Sequence, residues 1–371
     1  MEPKIENILE EGGELKFTLS GVDVSIANGL RRAIISDIST YGFKTIPHEE
    51  NQVNITKNTT RFNNEILKQR ISCIPIHNIH NIPNHEEIHK DLVFEINEKN
   101  DSTNIKYITT EHIKIKNSKT NQYLNETDSK KIFPPNKITG DHILICRLKP
   151  KISDEIPGEE LSFSANISVN TAKQNNMFNV SSTCFYNFTP DKVEQNKAWT
   201  AYLKENSDIQ NKEDAKKNWY LHNGLRHYVK NSFDFTIETV GVYTNVELFK
   251  KGCQVLIDKI TNCSSKLDDD TFRVEQSKST IENCYDVILK NEDYTLGKVI
   301  EYYMYTNYFE SNNILSYVGF RKHHPHDEHS VLRLGFKKPI SNTSVVKEYI
   351  KNMNSVAIET YKQIQELIHS N

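Results

Sequence analysis

The sequence has no run of apolar residues that could cross a lipid bilayer, since a spanning helix needs about 20 of them. Cysteine is also scarce, with six residues in 371 and no CxxC or CxC pair. The first residues, MEPKIENILEEGG, are acidic and lack the apolar core of a secretory signal. We therefore expect a cytosolic protein with reduced thiols, no membrane contact, no disulfide framework and no cysteine-based zinc site.

Neither sign of charge dominates the chain. There are 46 Lys and Arg residues against 49 Asp and Glu, which gives a formal net charge of −3. A free-standing DNA-binding protein is expected to carry a basic field with interleaved aromatic residues, and the sequence has no such stretch. The length suits two or three domains, each with a core of its own.

The stretch VDVSIANGLRRAIISDIS, from Val22, predicts the helix around which the chain is organised. Its apolar residues recur at spacings of three and four: Ala27, Leu30, Ile34 and Ile38. Asp23 or Ser25 can cap the start of this helix. Gly29 costs about 1 kcal/mol relative to alanine in a helix interior, which is tolerable where another backbone passes close. Periodicity alone leaves an ordinary core helix as the alternative.

The middle of the chain is rich in strand-like segments. Residues 90–190 are β-rich, and we predict a separate, mostly antiparallel domain from residue 80 to about residue 200. The charged residues that follow are compatible with helices, and their apolar anchors are Trp199, Tyr202, Trp219 and Leu225. A strand at 232–240 and a helix at 246–260 come next. No segment close to them in the sequence offers a surface for this strand and helix to pack on, other than the first domain. The pair therefore predicts that the chain returns to the first domain after an insertion.

The C-terminal third ends in a long amphipathic helix. Apolar residues keep a near-heptad spacing from Val346 to Leu367. A helix of about 24 residues is about 36 Å long. Its apolar stripe therefore needs a long partner surface, and a shorter helix that carries Leu296 and Val299 precedes it.

Two histidine clusters and one acidic run are candidate metal sites. The clusters are His77 to His89 and His323 to His329, and the acidic run is Asp268 to Asp270. The first cluster lacks a cysteine or an obvious acidic ligand, and the acidic run lies in a polar linker without a strand context. We expect no metal ion, and a metal-binding or DNA-binding protein that uses His323–His329 is the alternative.

The opening helix resembles a known family. ANGLRRAIISDIS is similar to the signature helix of the bacterial RNA polymerase alpha subunit and of its archaeal and eukaryotic counterparts, which include the third-largest subunit of RNA polymerase II. Asn28, Leu30, Arg31 and Arg32 stand at the N-x-L-R-R core of that helix, and Gly29 replaces the more usual alanine.

Two further segments extend this resemblance. The second family block is matched at separated positions: Asn58, Thr59, Thr60, Glu65, Arg70, Ile74 and Pro75. Asn64 and Gln69 stand where the family has Asp and His. SFDFTIETVG, from Ser232, resembles the returning strand of the same dimerisation domain.

The C-terminal third resembles a different relative, the eleventh subunit of eukaryotic RNA polymerase II and archaeal subunit L. NEDYTLGKVIEYYMY, from Asn291, is similar to the N-E-D-H-T-L-G-N helix start of that family, with Tyr294 and Lys298 as departures. VGFRKHHPHDEH, from Val318, resembles its G-Y-x-x-x-H-P-x-x-x-H segment. The presence of both partners in one polypeptide resembles the polymerases of large cytoplasmic DNA viruses.

The resemblance implies an α+β fold with two alpha-like dimerisation modules paired within one chain and an inserted, mostly antiparallel β domain. The implied domains are 1–80 with 230–265, the inserted domain 81–229, and the small-subunit-like domain 266–371. The implied function is a non-catalytic scaffold of a DNA-directed RNA polymerase, which nucleates assembly of the two large catalytic subunits.

The resemblance also implies partners and location. The partners are the two largest polymerase subunits and small polymerase subunits, with DNA reached only through the complex and no homodimer. No cofactor is expected. If the chain is viral, it belongs in the host cytoplasm at replication sites and in the virion rather than in the nucleus.

Two sets of site residues follow from the resemblance. The partner-binding set is Asn28, Arg31, Arg32, Asn58, Thr59, Glu65 and Arg70. The intramolecular pairing set is Leu30, Ile34, Ile38, Leu296, Val299, Tyr349, Met353, Val356 and Ile364. Arg31 and Arg32 are expected to be surface donors, because arginine forks suit carboxylates or main-chain carbonyls of a large subunit. Glu65 and Arg70 are expected to pair with each other or to face a partner.

Overall fold

The computed structural model describes residues 2–79, 89–206 and 211–368. Within them the strands are β1 (Lys4–Glu11), β2 (Glu14–Ser20), β3 (Ser39–Gly42), β4 (Val53–Asn58), β5 (Leu92–Lys99), β6 (Lys106–Thr109), β7 (Lys114–Asn117), β8 (Leu144–Leu148), β9 (Glu160–Ala165), β10 (Ser168–Thr171), β11 (Ser181–Pro190), β12 (Tyr228–Thr239), β13 (Arg273–Gln276), β14 (Cys284–Lys290), β15 (Leu315–Arg321) and β16 (His329–Phe336). The α-helices are α1 (Val24–Ser36), α2 (Asn64–Ser72), α3 (Glu126–Ile132), α4 (Lys192–Glu205), α5 (Lys212–Leu221), α6 (Asn245–Asp268), α7 (Tyr294–Met304) and α8 (Thr343–Leu367).

The chain divides into two compact units. Unit 1 comprises the described residues of Met1–Ile38, Ser181–Thr239 and Asn245–Asn371. Unit 2 comprises the described residues of Ser39–Val180 and Val240–Thr244. None of the described helices combines the length and the apolar character that a bilayer span requires.

The first half of unit 1 is a four-stranded sheet in the order β1-β2-β12-β11, and its neighbouring strands are antiparallel. Phe17 on β2 lies opposite Phe235 on β12, and their rings stack at 5.2 Å. Helix α1 packs against β11, and α6 packs against β12 and β2. Asp23 caps α1 as predicted, because its side chain accepts a hydrogen bond from the backbone N–H of Ser25 at 2.8 Å.

The second half of unit 1 has its own antiparallel sheet, in the order β13-β14-β16-β15. Helix α7 packs against β15 and β16, and α8 packs against β13. Helix α8 has 25 residues and confirms the long terminal helix that the periodicity predicts. Its longest helical neighbour is the 24-residue α6, which supplies a partner surface of matching length.

One predicted pairing residue on α8 lies outside the buried stripe of that helix. Val356 is 42% exposed, whereas the next residue, Ala357, is buried. A heptad repeat assumes 3.5 residues per turn, but the buried apolar positions of α8 advance as Val346, Ile350, Met353, Ala357, Tyr361 and Ile364. Val356 lies roughly 100° around the helix from Ala357, which places it outside the buried stripe.

Unit 2 is built from antiparallel strands. Its sheets have the orders β10-β3, β4-β9-β5-β7 and β6-β8. The core is made by apolar side chains from the strands and from α2 and α3, with Phe43 and Phe94 in edge-to-face contact at 5.2 Å between ring centroids. This agrees with a mostly antiparallel β domain.

The boundaries of the two units differ from the predicted domains at four places. Residues 240–244 lie in unit 2, although the prediction places them in the first domain. Residues 39–79 lie in unit 2, because β3 pairs with β10 and β4 pairs with β9. Residues 181–229 lie in unit 1, because β11 completes the sheet that contains β12. Residues 266–368 share unit 1 with the N-terminal module and do not form a compact unit of their own.

Candidate functional site

Helix α1 contacts α7 closely at Gly29. A Cβ atom built on Gly29 would lie 2.9 Å from the hydroxyl oxygen of Tyr361, 3.4 Å from Cγ2 of Val299 and 3.6 Å from the carbonyl oxygen of Thr295. A backbone therefore passes close to this glycine, as its position in the helix interior indicated. The absence of a side chain at Gly29 lets α7 and α8 approach α1.

Tyr361 on α8 is completely buried in unit 1. Its hydroxyl donates a hydrogen bond to the carbonyl oxygen of Ile26 on α1 at 3.2 Å. Burial raises the pKa of this phenol well above its ordinary value, so the group stays protonated and can donate. Tyr361 lay in the apolar stripe of the sequence but outside the predicted site, since an isolated tyrosine in such a stripe gives no sign of its partner.

Helix α8 also follows α6 along its length. Nδ2 of Asn354 donates to Oγ of Ser264 at 3.0 Å, and Nε2 of Gln365 donates to the carbonyl oxygen of Lys250 at 2.9 Å. Most residues of the predicted pairing set are buried in unit 1: Leu30, Ile34, Ile38, Leu296, Val299, Met353 and Ile364. Tyr349 is partly buried, and its ring meets that of Tyr308 edge to face with 4.7 Å between centroids.

The paired arginines of α1 have different environments. Nε of Arg32 donates to Oγ1 of Thr295 at 2.7 Å, and its Nη2 lies 3.3 Å from Oδ2 of Asp293. The side chain of Arg32 is 38% exposed. This differs from the expected surface donor, because two of its nitrogen atoms already bind the N-terminal end of α7. The sequence shows Asp293 and Thr295 only as possible helix caps. Their contacts with Arg32, which is 261 and 263 positions away, leave no local signal.

Arg31 points toward β11 rather than α7. Its Nε donates to Oδ1 of Asn28 at 2.9 Å, which fixes the two polar residues of the signature together. Burial raises the pKa of the Cys184 thiol on β11 to about 12, and the charge of Arg31 opposes that rise. Arg31 is partly exposed, so the Asn28–Arg31 pair presents a polar group on the surface of unit 1.

The other predicted partner-binding residues lie in unit 2, where several have structural contacts. Asn58 organises a turn, because its Oδ1 accepts from the backbone of Thr60 at 2.9 Å while its Nδ2 donates to the carbonyl of Phe62 at 2.8 Å. Oγ1 of Thr59 accepts from the backbone N–H of Glu160 at 2.7 Å.

Arg70 and Glu65 do not pair with each other. Nε and Nη2 of Arg70 donate to the carbonyl oxygens of Ile145 and Leu144 at 2.7 and 2.8 Å. Glu65 is exposed and makes no ion pair with another residue of the described chain. Arg70 is therefore held by β8, and Glu65 keeps its carboxylate in solvent.

The side chains of the candidate metal sites form ion pairs and hydrogen bonds within the protein. Among the residues that the structure describes, no cluster of three or more His, Cys, Asp or Glu could hold a metal ion. Asp268 and Asp270 form ion pairs with Lys351 and Lys347 of α8. Nδ1 of His324 accepts a hydrogen bond from the backbone N–H of His326 at 3.1 Å. The second histidine cluster is exposed to solvent, and this hydrogen bond closes a turn within it. His80 and His85 of the first cluster lie outside the described residues.

Comparison with known proteins identifies the family through a segment that runs across both units. Residues 16–260 match the RNA polymerase Rpb3/Rpb11 dimerisation domain. The chain belongs to this family. The match begins on β2 and ends on α6, so it includes α1 with its Asn28–Arg31 pair.

A curated relative supports the same assignment. The DNA-directed RNA polymerases I and III subunit rpac1 of Dictyostelium discoideum is 25% identical over 292 residues, which cover 69% of this chain and 79% of the relative. The family and this relative indicate a subunit of a DNA-directed RNA polymerase, as the resemblance in the sequence implied.

Proposed function

We propose that this chain is a non-catalytic assembly scaffold of a DNA-directed RNA polymerase, in which two alpha-like modules of one polypeptide pair with each other. The observation that carries the proposal is the packing of α7 and α8 on α1 and α6 within unit 1. The completely buried Tyr361–Ile26 hydrogen bond and the close approach at Gly29 support it. The joint outer surface then nucleates assembly of the two large catalytic subunits.

The covalent link between the modules favours pairing within the chain. A short flexible connection places the second module at an effective concentration in the mM range. Only residues 269–272 separate the end of α6 from β13. Pairing within the chain therefore competes strongly with homodimer formation, and no homodimer is expected. The resemblance of the last third to a separate small subunit supports a fusion of the type found in large cytoplasmic DNA viruses.

The proposed partners are the two largest polymerase subunits and small polymerase subunits, with DNA reached only through the complex. The proposed location is the host cytoplasm at viral replication sites and the virion. Asn28 and Arg31 are the residues of the signature most available to a large subunit. Arg32 contacts the large subunit through the exposed part of its side chain, while its Nε and Nη2 bind Thr295 and Asp293 at the start of α7.

Reversing both charges, with Arg31→Glu and Arg32→Glu, is expected to block co-purification with the two largest subunits while the chain stays folded. Arg32→Glu removes the partly exposed Arg32–Asp293 ion pair, a kind of pair that contributes about 0–1 kcal/mol, and the hydrogen bond to Thr295, and it places a second carboxylate beside Asp293, so the double variant loses some stability. The measurement is affinity purification of the assembled polymerase, with circular dichroism of the isolated chain as a check on folding. Arg31→Glu alone tests the interface without disturbing α7.

The matched control reverses two neighbouring cations elsewhere in unit 1, with Arg321→Glu and Lys322→Glu. This control is expected to co-purify normally. Normal co-purification of the Arg31→Glu, Arg32→Glu variant would count against a contact role for the paired arginines.

A further inference from the structure

A cleft of about 580 Å³ opens in unit 1 beside the contacts of α7 with α1 and α8. Its lining includes Ile26 of α1, Tyr302 and Tyr303 of α7, and Val356 and Glu359 of α8. We call it the Tyr302 cleft. Val356 is the residue that the sequence assigned to the pairing of the modules, and its partly exposed side chain lines this cleft instead. The cleft therefore offers apolar surface that the protein itself leaves uncovered.

One wall of the Tyr302 cleft is a rare kind of helix. Residues Tyr305–Ser311 form a π-helix directly after α7, and Thr306, Asn307 and Ser311 of this segment line the cleft. Nδ2 of Asn307 donates to the carbonyl oxygen of Tyr303 at 2.9 Å, which ties the π-helix to the end of α7. Residues in π-helices make up well under 1% of globular proteins, and they occur frequently at functional sites.

The charge around the Tyr302 cleft is negative. The described residues that line it belong to the segments 22–26, 302–311 and 355–363. Together these segments carry three carboxylates and one ammonium group: Asp23, Glu310, Glu359 and Lys362. The ammonium group belongs to an exposed residue outside the cleft lining, so no lysine or arginine among the described residues lines the cleft.

Tyr302 and Glu359 give this negative cleft a defined chemistry. Burial raises the pKa of Tyr302 to about 12, and the charges of Asp23 and Glu310 add to that rise, so its phenol stays uncharged. Oε1 of Glu359 accepts from Nε2 of Gln363 at 3.2 Å. Glu359 is exposed and forms no ion pair with any residue that the structure describes. The cleft thus combines an aromatic ring with a carboxylate that lacks a cationic partner.

We propose that the Tyr302 cleft binds an arginine-bearing segment of a partner protein. A guanidinium group packs on tyrosine rings and pairs with carboxylates, and Tyr302 and Glu359 supply both groups. The side chains of Val356 and Ile26 would contact the aliphatic part of the arginine. The proposal needs the packing of α7 and α8 on α1, but it does not depend on the scaffold function proposed above.

Anionic partners fit the Tyr302 cleft less well. The phosphates of a nucleic acid, the headgroups of an anionic membrane or the carboxylates of an acidic peptide would lie beside Glu359 and near Asp23. Like charges at such a distance repel each other, and the single ammonium group of Lys362 does not balance them. Charge complementarity therefore favours a cationic side chain.

Methyl NMR of the full chain tests the proposal, with Nα-acetyl-arginine amide as the probe. The probe is expected to shift the methyl signals of Val356 and Ile26, which both line the cleft. Nα-acetyl-citrulline amide has nearly the same shape without the charge, and it is expected to bind at least about tenfold more weakly, because it forms no ion pair. Added salt should also weaken the binding of the arginine probe.

Variants of the full chain locate the binding site. Glu359→Lys places a like charge beside the guanidinium and is expected to weaken binding at least about tenfold. Tyr302→Leu removes the aromatic ring and is expected to weaken it about fivefold. The matched control is Glu348→Lys, which reverses another exposed glutamate of α8 roughly 16 Å away along the helix axis. This control is expected to bind like the parent chain, and the methyl spectrum of each variant reports on its folding.

Several results would overturn the proposal. The arginine probe could leave the methyl signals of Val356 and Ile26 unchanged, the citrulline probe could bind equally well, or Glu359→Lys could bind like the parent chain. Binding of Nα-acetyl-glutamate amide or of a single-stranded oligonucleotide at these signals in place of the arginine probe would also overturn it.

Discussion

Replacing Tyr361 by alanine is expected to lower the free energy of unfolding of unit 1 by about 3–5 kcal/mol, as for other large buried aromatic residues. The side chain is completely buried between the helices. Its removal leaves a cavity beside Gly29 and removes the hydrogen bond that the hydroxyl donates to the carbonyl oxygen of Ile26. The measurement is denaturant unfolding followed by far-ultraviolet circular dichroism.

Two further variants separate the packing from the hydrogen bond. Tyr361→Phe keeps the ring and removes only the hydroxyl, so a loss of about 1 kcal/mol is expected. Tyr305→Ala removes a tyrosine that is 40% exposed, and its effect is expected to be small. Equal stabilities of the parent and Tyr361→Ala proteins would contradict the packing of α8 on α1.

A chain that ends at Asp268 is expected to accumulate in insoluble form, and co-expression of residues 269–371 is expected to restore solubility. Without α7 and α8, the apolar faces of α1 and α6 lose their cover. The exposed side chains would include Ile26 of α1, which is 1% exposed in the full chain and lines a cleft with Tyr302 and Tyr303 of α7. An apolar patch of this size on a soluble protein promotes aggregation. Fractionation of the lysate followed by size-exclusion chromatography measures the result.

The control for this experiment is co-expression of residues 269–371 that carry Tyr361→Ala. This fragment is expected to rescue less of the truncated chain than the unmodified fragment does. If the truncated chain were soluble and monomeric alone, the α1 and α6 faces would not need the C-terminal third, and the proposed pairing would lose its physical basis.

Local signals in the sequence predicted individual elements well. The spacing of apolar residues located α1 and α8, and Asp23 marked the start of α1. The glycine in the middle of α1 indicated a close approach of another backbone, and the carbonyl of Thr295 lies there. These features depend on neighbours within a few turns of the same helix, so they can be inferred from the sequence.

Contacts between distant segments were harder to predict. The structure divides the chain at residue 39 and not near residue 80, because Val53 on β4 pairs with Ala165 on β9, and nothing local to either strand specifies the other. The contact of Arg32 with Asp293 was missed for the same reason. Leu225 shows a further limit, since an apolar residue outside a periodic pattern does not reveal whether it is buried, and Leu225 is 61% exposed.

The pairing of the two modules is tested most directly by cutting the connection between them. A protease site inserted between the exposed residues Asp269 and Asp270 lies after α6 and before β13. After complete cleavage, light scattering on a size-exclusion column should find both fragments in one particle with the mass of the intact chain. If the two fragments elute as separate species under the same conditions, the helices do not hold the modules together and the account is wrong.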